Sequence, residues 1–281
     1  MTRKERLLRD AANIRKGILY GLKGVGAGHI GGSMSMVEIM AALYGGLMNV
    51  DPADPGNEAR DRLVVSKGHC GPAVYATLAL KGYFPYEELA TINRGGTRLP
   101  SHCDMNRTPG IDMTTGSLGQ GMSTSVGIAL GTGYLRRDAY TWLILGDGEL
   151  QEGQVWEGAL FAAQHKLSKL IAFVDANGKQ LDGYTDEICG LGDIAAKFSV
   201  FGWNALNCDG NDVESVYAAA TLAKSEKTKP SVIVAHTEKG IGCSFAEDVY
   251  YNHHMSFSED QWQEAMDRLD RELAQLGVNA Q

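Results

Sequence analysis

The chain holds 281 residues, 44% hydrophobic and 21% charged, which suffices for one large domain with a sizeable core. Its formal net charge of −8, from 26 basic and 34 acidic residues, argues against a nucleic-acid binder, which carries a basic face. It leaves room for a phosphorylated ligand held locally by His, Lys and backbone N–H groups.

From the N-terminus, MTRKERLLRD is polar and no apolar run follows it, so no secretory leader is expected. Residues 3–24 read as an amphipathic helix, with Leu7, Leu8, Ala11, Ile14, Ile18 and Leu22 at helical spacing. GVGAGHIGGS reads as a Gly-rich turn, and a second helix is predicted over 36–47. RLVVS is a short buried strand, SKGHCGP a turn and AVYATLALKGY a helix. A strand–loop–helix rhythm follows. TWLILGD, LIAFVDAN, GWNALNCDG and PSVIVAHT are strands, GQVWEGALFAAQHK and DVESVYAAATLAKSE are helices, and an amphipathic helix closes the chain over 258–276. Continuously apolar strands alternating with helices predict a three-layer α/β sandwich with a mainly parallel sheet, over a single domain of residues 1–281. The cysteines, at 70, 103, 189, 208 and 243, are odd in number and never spaced CxxC, so reduced thiols in a cytoplasmic protein are expected. Runs such as LVV and IAFV are far too short to span a bilayer.

Two motifs carry chemistry. GDGELQEG at 146–153 and DAN at 175–177 each follow a buried strand. Carboxyl ends of parallel strands face the ligand crevice, so Asp147 and Asn177 are expected to project oxygens into one cleft. Oxygen ligands suit Mg²⁺, which shares its shell with phosphates and water. Gly146 and Gly148 let a diphosphate approach the backbone, and Gly148 leads towards a helix expected to start at Gln151. Taken singly, Gly-Asp-Gly is a turn and Asn177 a cap; their joint position after two strands favours the metal reading.

GDGELQEG with VDANGKQLDG resembles the thiamine diphosphate motif of transketolases. GHIGGS at 28–33, SKGH at 66–69, residues 101–121 and HTEKGIGCSF at 236–245 are similar to transketolase segments in that family's order, so the resemblance covers roughly residues 10–255. It implies thiamine diphosphate and Mg²⁺ as cofactors. Asp147, Asn177 and the carbonyl of Lys179 would hold the metal. His69, Gly146, Gly148 and Glu149 would serve the diphosphate, and the backbone of Gly116, Ser117 and Leu118 the aminopyrimidine. His29, His69, His102 and His253 would form the catalytic floor, and Glu152 would join two active sites across a subunit interface. Histidine titrates near neutrality and suits proton traffic to sugar hydroxyls. His165 reads as a helix-surface residue and His236 as a strand-end residue to which no role is assigned.

Three features depart from the family. No segment after residue 255 resembles the pyrimidine-binding domain, which carries the glutamate that activates the cofactor; a separate C-terminal subunit is expected to supply it, in a heterotetramer of two chains each. In YYNHHMS, Asn252 stands where the family has Trp, and either His253 or His254 fills the next position. SHCD replaces Gly-His-Pro around His102. The last two imply a donor other than ordinary pentose phosphates, such as a sulfo-sugar or another specialised ketose. The competing readings are a catalytically silent partner of a thiamine enzyme, a deoxyxylulose-phosphate synthase-like or 2-oxo-acid dehydrogenase subunit, and a dinucleotide-binding dehydrogenase. The last is weakened because GVGAGHIGG follows a helix rather than a strand.

Overall fold

The computed structural model describes residues 1–277; the final four positions of the expected 1–281 span lie outside the described residues. Helix α1 (Arg3–Lys23) opens on a capping box in which Thr2 accepts from the Glu5 N–H and Glu5 answers to the Thr2 N–H. Then come β1 (Ala27–Gly28), α2 (Ile30–Ser35) and α3 (Val37–Ala42), with a π-helical turn over Leu43–Leu47. The expected helix over 36–47 is therefore two short pieces. Helical structure begins already at Ile30, inside the stretch expected as a turn, and α3 gives way to a π turn broken at Gly46, whose φ of 134° no L side chain adopts easily.

The remaining elements are β2 (Arg62–Val65), α4 (Gly71–Leu80), α5 (Gln120–Tyr134), β3 (Thr141–Gly146), α6 (Gly153–Gln164), β4 (Leu170–Ala176), α7 (Thr185–Cys189), α8 (Ile194–Val200), β5 (Asn204–Asp209), α9 (Val213–Ser225), β6 (Ser231–His236), β7 (Met255–Ser256) and α10 (Glu259–Gln275). The predicted strands and the last helix stand where expected. Helices α5, α7 and α8 were not predicted. A four-residue 3₁₀ turn (Gly148–Gln151) comes before α6, so the helix starts at Gly153 rather than at Gln151.

Strands β2, β3, β4, β6 and β5 form, in that order, one all-parallel sheet. Side chains alternate across it. Trp142, Ile144, Ile171, Phe173 and Ile233 enter a core built with α1, α3, α4, α9 and α10, whereas Leu143, Leu145, Ala172, Val174 and Val232 enter a second core with α5, α6 and α8. Both faces are covered, which is why these strands read as unbroken apolar runs. The two-residue pair β1–β7 clasps Ala27 and Gly28 against Ser256 and Met255, bringing two distant segments to the carboxyl end of the sheet.

Candidate active site

The carboxyl ends of β2, β3, β4 and β6 open into a cavity of about 340 Å³, lined by His29, Lys67, His69, His102, Gly116, Leu118, Gly146, Asp147, Gly148, Glu149, Glu152, Asn177, Lys179, Lys239 and His253 among others. A larger recess of about 920 Å³ lies at the opposite end of the sheet, by the amino ends of β3 and β4 and the far ends of α5 and α6, and holds none of these groups.

Asp147 sits just past β3 and is 4% exposed. One carboxylate oxygen accepts the Gly148 N–H at 2.9 Å and the other the Gly178 N–H at 2.6 Å. The second bond draws the turn after β4 towards the turn after β3, which is how Asn177 comes beside Asp147. Burial and the neighbouring Asp175 raise the Asp147 pKa to about 6. A carboxylate pressed against another and kept from water is the place for a cation. The Asn177 Oδ1 accepts the Lys179 N–H at 3.1 Å, and the Lys179 carbonyl accepts the Lys239 ammonium at 2.9 Å. An ammonium thus rests on the carbonyl expected to bind metal. Among the described residues no three His, Cys, Asp or Glu side chains gather as a metal centre. The available set is instead one carboxylate, one amide oxygen and one main-chain carbonyl, a donor chemistry suited to a hard cation that keeps phosphate and water ligands. Gly148 makes the turn tight: a Cβ there would meet the Gln180 Cβ at 2.9 Å.

The imidazoles converge from four segments. The His29 ring centre lies 5.3 Å from that of His69, 5.8 Å from His102, 5.4 Å from His253 and 4.8 Å from His254, and His69 and His253 are 4.6 Å apart. Burial, with His254 and His102 nearby, lowers the His29 pKa to about 4; burial and Lys239 lower that of His253 to about 3; burial and Lys67 push His69 far below the imidazole range; burial lowers His102. His29, His69, His102 and His253 are therefore all pushed towards the neutral form, able to donate and accept hydrogen bonds. Of the two alternatives left open by YYNHHMS, it is His253 that lines the cavity and accepts the Lys239 ammonium through Nδ1 at 3.2 Å, whereas His254 is exposed and packs edge-on against His29.

Two other expectations change in detail. Glu149 is 2% exposed, and its carboxylate already accepts the Gly119 N–H at 2.7 Å, the Gly146 N–H at 3.1 Å and the Ser66 hydroxyl. It clamps the ends of β2 and β3 to the 116–119 loop. Ser117 is exposed and does not line the cavity, while Gly116 and Leu118 do. Glu152 is exposed at the cavity rim, beside Gly119, as a group awaiting another chain would be. Asn252 does not enter the pocket. Its amide donates to the carbonyls of Lys239 at 2.7 Å and Ala246 at 2.9 Å, and its own carbonyl accepts the Gly31 N–H at 3.0 Å, so it straps three loops together. Cys103 is buried, and burial pushes its thiol up to about 12, so it is an inert core group.

Sequence reasoning missed Lys67 and Asp175 and left Lys239 without a role. All three are buried at the cavity floor, where Lys67 pairs with Asp175. The available signal was a charged residue inside the apolar run LIAFVDAN, because a charge in a doubly covered strand must have a partner.

These features define a class, the α/β domains with a polar cavity at the carboxyl ends of a parallel sheet. The family model for the transketolase thiamine diphosphate binding domain matches residues 11–276. The 6-deoxy-6-sulfo-D-fructose transketolase subunit SqwG of Clostridium sp. (strain MSTE9) is 52% identical, over 95% of this chain and 98% of its own length. One subunit of the apulose-4-phosphate transketolase of Phocaeicola vulgatus is 36% identical over 89% of each chain. Transketolase from Pichia stipitis superposes with a TM-score of 0.88 at 29% identity, covering 99% of this chain and 41% of that longer one. The chain belongs to the transketolase family, in its thiamine diphosphate binding part, and is an enzyme subunit of the class that transfers aldehyde and ketone groups. No helix among the described residues is long and apolar enough to cross a membrane.

Proposed function

We propose that this chain is a single diphosphate-binding domain that works as the N-terminal half of a two-chain transketolase, and that its donor is a 6-deoxy-6-sulfo-ketose. The observation that carries the reaction is the joining of Asp147, Asn177 and the Lys179 carbonyl at one cavity mouth, opposite a floor of neutral histidines. When bound, thiamine diphosphate supplies the electron sink for the two-carbon unit. Asp147, Asn177 and the Lys179 carbonyl would hold Mg²⁺. The backbone of Gly146 and Gly148, with His69, receives the diphosphate. His29, His102 and His253 orient the donor's hydroxyls, and as neutral imidazoles they can take a proton from a hydroxyl when the carbon–carbon bond breaks and return it when the new bond forms.

The sulfo-sugar assignment rests on the SqwG relative, matched along almost its whole length. A partner is supported by the "subunit" names of two full-length relatives. It is also supported by exposed apolar side chains on α5 and α6, Leu130, Tyr134, Leu160 and Phe161, on helices that begin beside Leu118 and Glu152 at the cavity rim. We place the second chain, carrying the pyrimidine-binding domain, on this face, in a heterotetramer. Four buried free thiols fit a reducing cytoplasm.

The test is a pull-down of the tagged chain from its host, followed by two-carbon transfer assays on 6-deoxy-6-sulfo-D-fructose, xylulose 5-phosphate and other ketoses, with and without thiamine diphosphate and Mg²⁺. Cofactor-dependent transfer with a co-purified second chain is expected. Faster turnover on xylulose 5-phosphate would overturn the donor assignment. Full turnover by the chain alone would overturn the half-enzyme reading, and a two-chain complex that binds no thiamine diphosphate would make the chain a silent partner.

A further inference from the structure

We propose that Asp175 is the positioning residue of the metal-binding amide, fixing which end of Asn177 faces the cation. The inference rests on the metal site proposed above. A carboxamide has two ends of nearly equal size, and only the oxygen can ligate a hard cation. Nothing in the shape of the pocket distinguishes them; a hydrogen-bond partner must. The Asn177 Nδ2 donates to Asp175 Oδ2 at 2.9 Å. An ionised carboxylate only accepts, so it holds the NH₂ end and turns Oδ1 away, where it accepts the Lys179 N–H and keeps a lone pair free.

Asp175 does this as an acceptor, and the structure surrounds its carboxylate with donors. It is fully buried at the end of β4. Ser35 donates to Oδ2 at 2.6 Å, Thr237 donates to Oδ1, and the Lys67 ammonium pairs with Oδ2 while giving another bond to the Gly32 carbonyl at 2.9 Å. Every group bonded to this carboxylate is a donor. These donors come from the segments after β1, β2, β4 and β6, so one buried anion registers the four loops around the cavity and sets the amide that completes it. A plain structural ion pair would be satisfied by Lys67, Ser35 and Thr237 and would not need Asn177.

Mn²⁺ binding by the full-length chain in the presence of thiamine diphosphate, read by electron paramagnetic resonance, tests this apart from activity. Asp175→Asn leaves the Lys179 N–H, among the described residues, as the one remaining partner that distinguishes the two ends of the 177 amide and is expected to weaken Mn²⁺ binding at least ~10-fold. Asn177→Asp sets two carboxylates against each other and is also expected to weaken it. The swapped pair D175N/N177D restores one donor and one acceptor, with the charge moved two residues along, and is expected to recover binding to within about threefold of wild type. Thermal melts check that each variant folds. Wild-type affinity in D175N would overturn the inference, as would a swapped pair no better than N177D alone. If D175N does not fold, the comparison of the swapped pair with N177D decides. A swapped pair that cannot fold would assign Asp175 to core stability. Absence of Mn²⁺ binding by the wild-type chain would sink the metal-site reading first, which separates the two failures.

Discussion

At the scale of single residues, the site combines charge held in the core with imidazoles held neutral. Asp147→Ala removes the only cavity carboxylate aimed at both strand-end turns, and Mg²⁺-dependent thiamine diphosphate affinity, measured by calorimetry, is expected to fall roughly 100-fold or more. His102 stands apart from the Lys67–Asp175–Lys239 floor. His102→Ala is therefore expected to lower kcat/KM for the donor by about 10²–10⁴ while leaving cofactor affinity within about threefold; wild-type kinetics would remove its role. The lowered histidine pKa values also set a pH dependence. His29 and His253 titrate at about 4 and 3 in the folded chain and near 6.5 once unfolded, so between these limits the unfolded state binds more protons and stability falls as pH drops. Their contribution is fully favourable above pH ~6.5. The variant His253→Asn should show a smaller loss of Tm between pH 7.5 and pH 5 than wild type, since one of the groups that must be kept uncharged is gone. An equal loss would mean that His253 is protonated in the folded chain. The expected metal ligands Asp147 and Asn177 were legible because each follows a buried apolar run, whereas the histidines were legible only through the family resemblance. Lys67 and Asp175 were not, because their meaning depends on Ser35 and Thr237, which lie far from them along the chain.

At the scale of elements, what was legible followed from periodicity. The five parallel strands carry unbroken apolar runs because both faces are buried, and α1 and α10 carry capping boxes and clear stripes. Helix α5 was invisible for the converse reason. QGMSTSVGIALGTGY has four glycines and no strong stripe, and it is helical because of what it packs against. Gly121 lies so close to β2 that a Cβ would stand 2.7 Å from the Ser66 Cα, and Gly158 of α6 admits the Met122 side chain. Close helix approach is used again where α1 crosses α4: a Cβ at Gly17 would meet the Ala76 Cβ at 2.8 Å. Gly17→Val is expected to cost about 2–3 kcal/mol by overpacking, with a lowered urea midpoint and an unchanged m-value. A neutral result would mean that α1 can lift from α4 without loss.

At the scale of the molecule, the chain presents one finished face and one unfinished one. Helices α1, α3, α4, α9 and α10 close the first core, while α5 and α6 cover the second and turn apolar side chains outward. Leu160→Glu, on α6 and 59% exposed, should leave the melting of the isolated chain within about 0.5 kcal/mol of wild type. It should weaken association with the second chain at least ~10-fold by sedimentation; unchanged assembly would move the partner to another face. The partner's existence was legible only through resemblance, because nothing in composition or spacing distinguishes an exposed leucine awaiting a neighbour from one that is simply exposed.

The clasp between β1 and β7, with Asn252 strapping residues 31, 239 and 246, also bears on synthesis. A ribosome delivers the chain from its N-terminus, so the sheet and the turns after β3 and β4 are complete once β6 has emerged, while His253 and the strap are still inside the exit tunnel. At that point His29 lacks both of its late neighbours and β1 lacks its partner strand. The nascent protein can thus fold most of its core well before it owns a working pocket, and the last twenty-odd residues of the clasped segment turn a stable scaffold into a binding site.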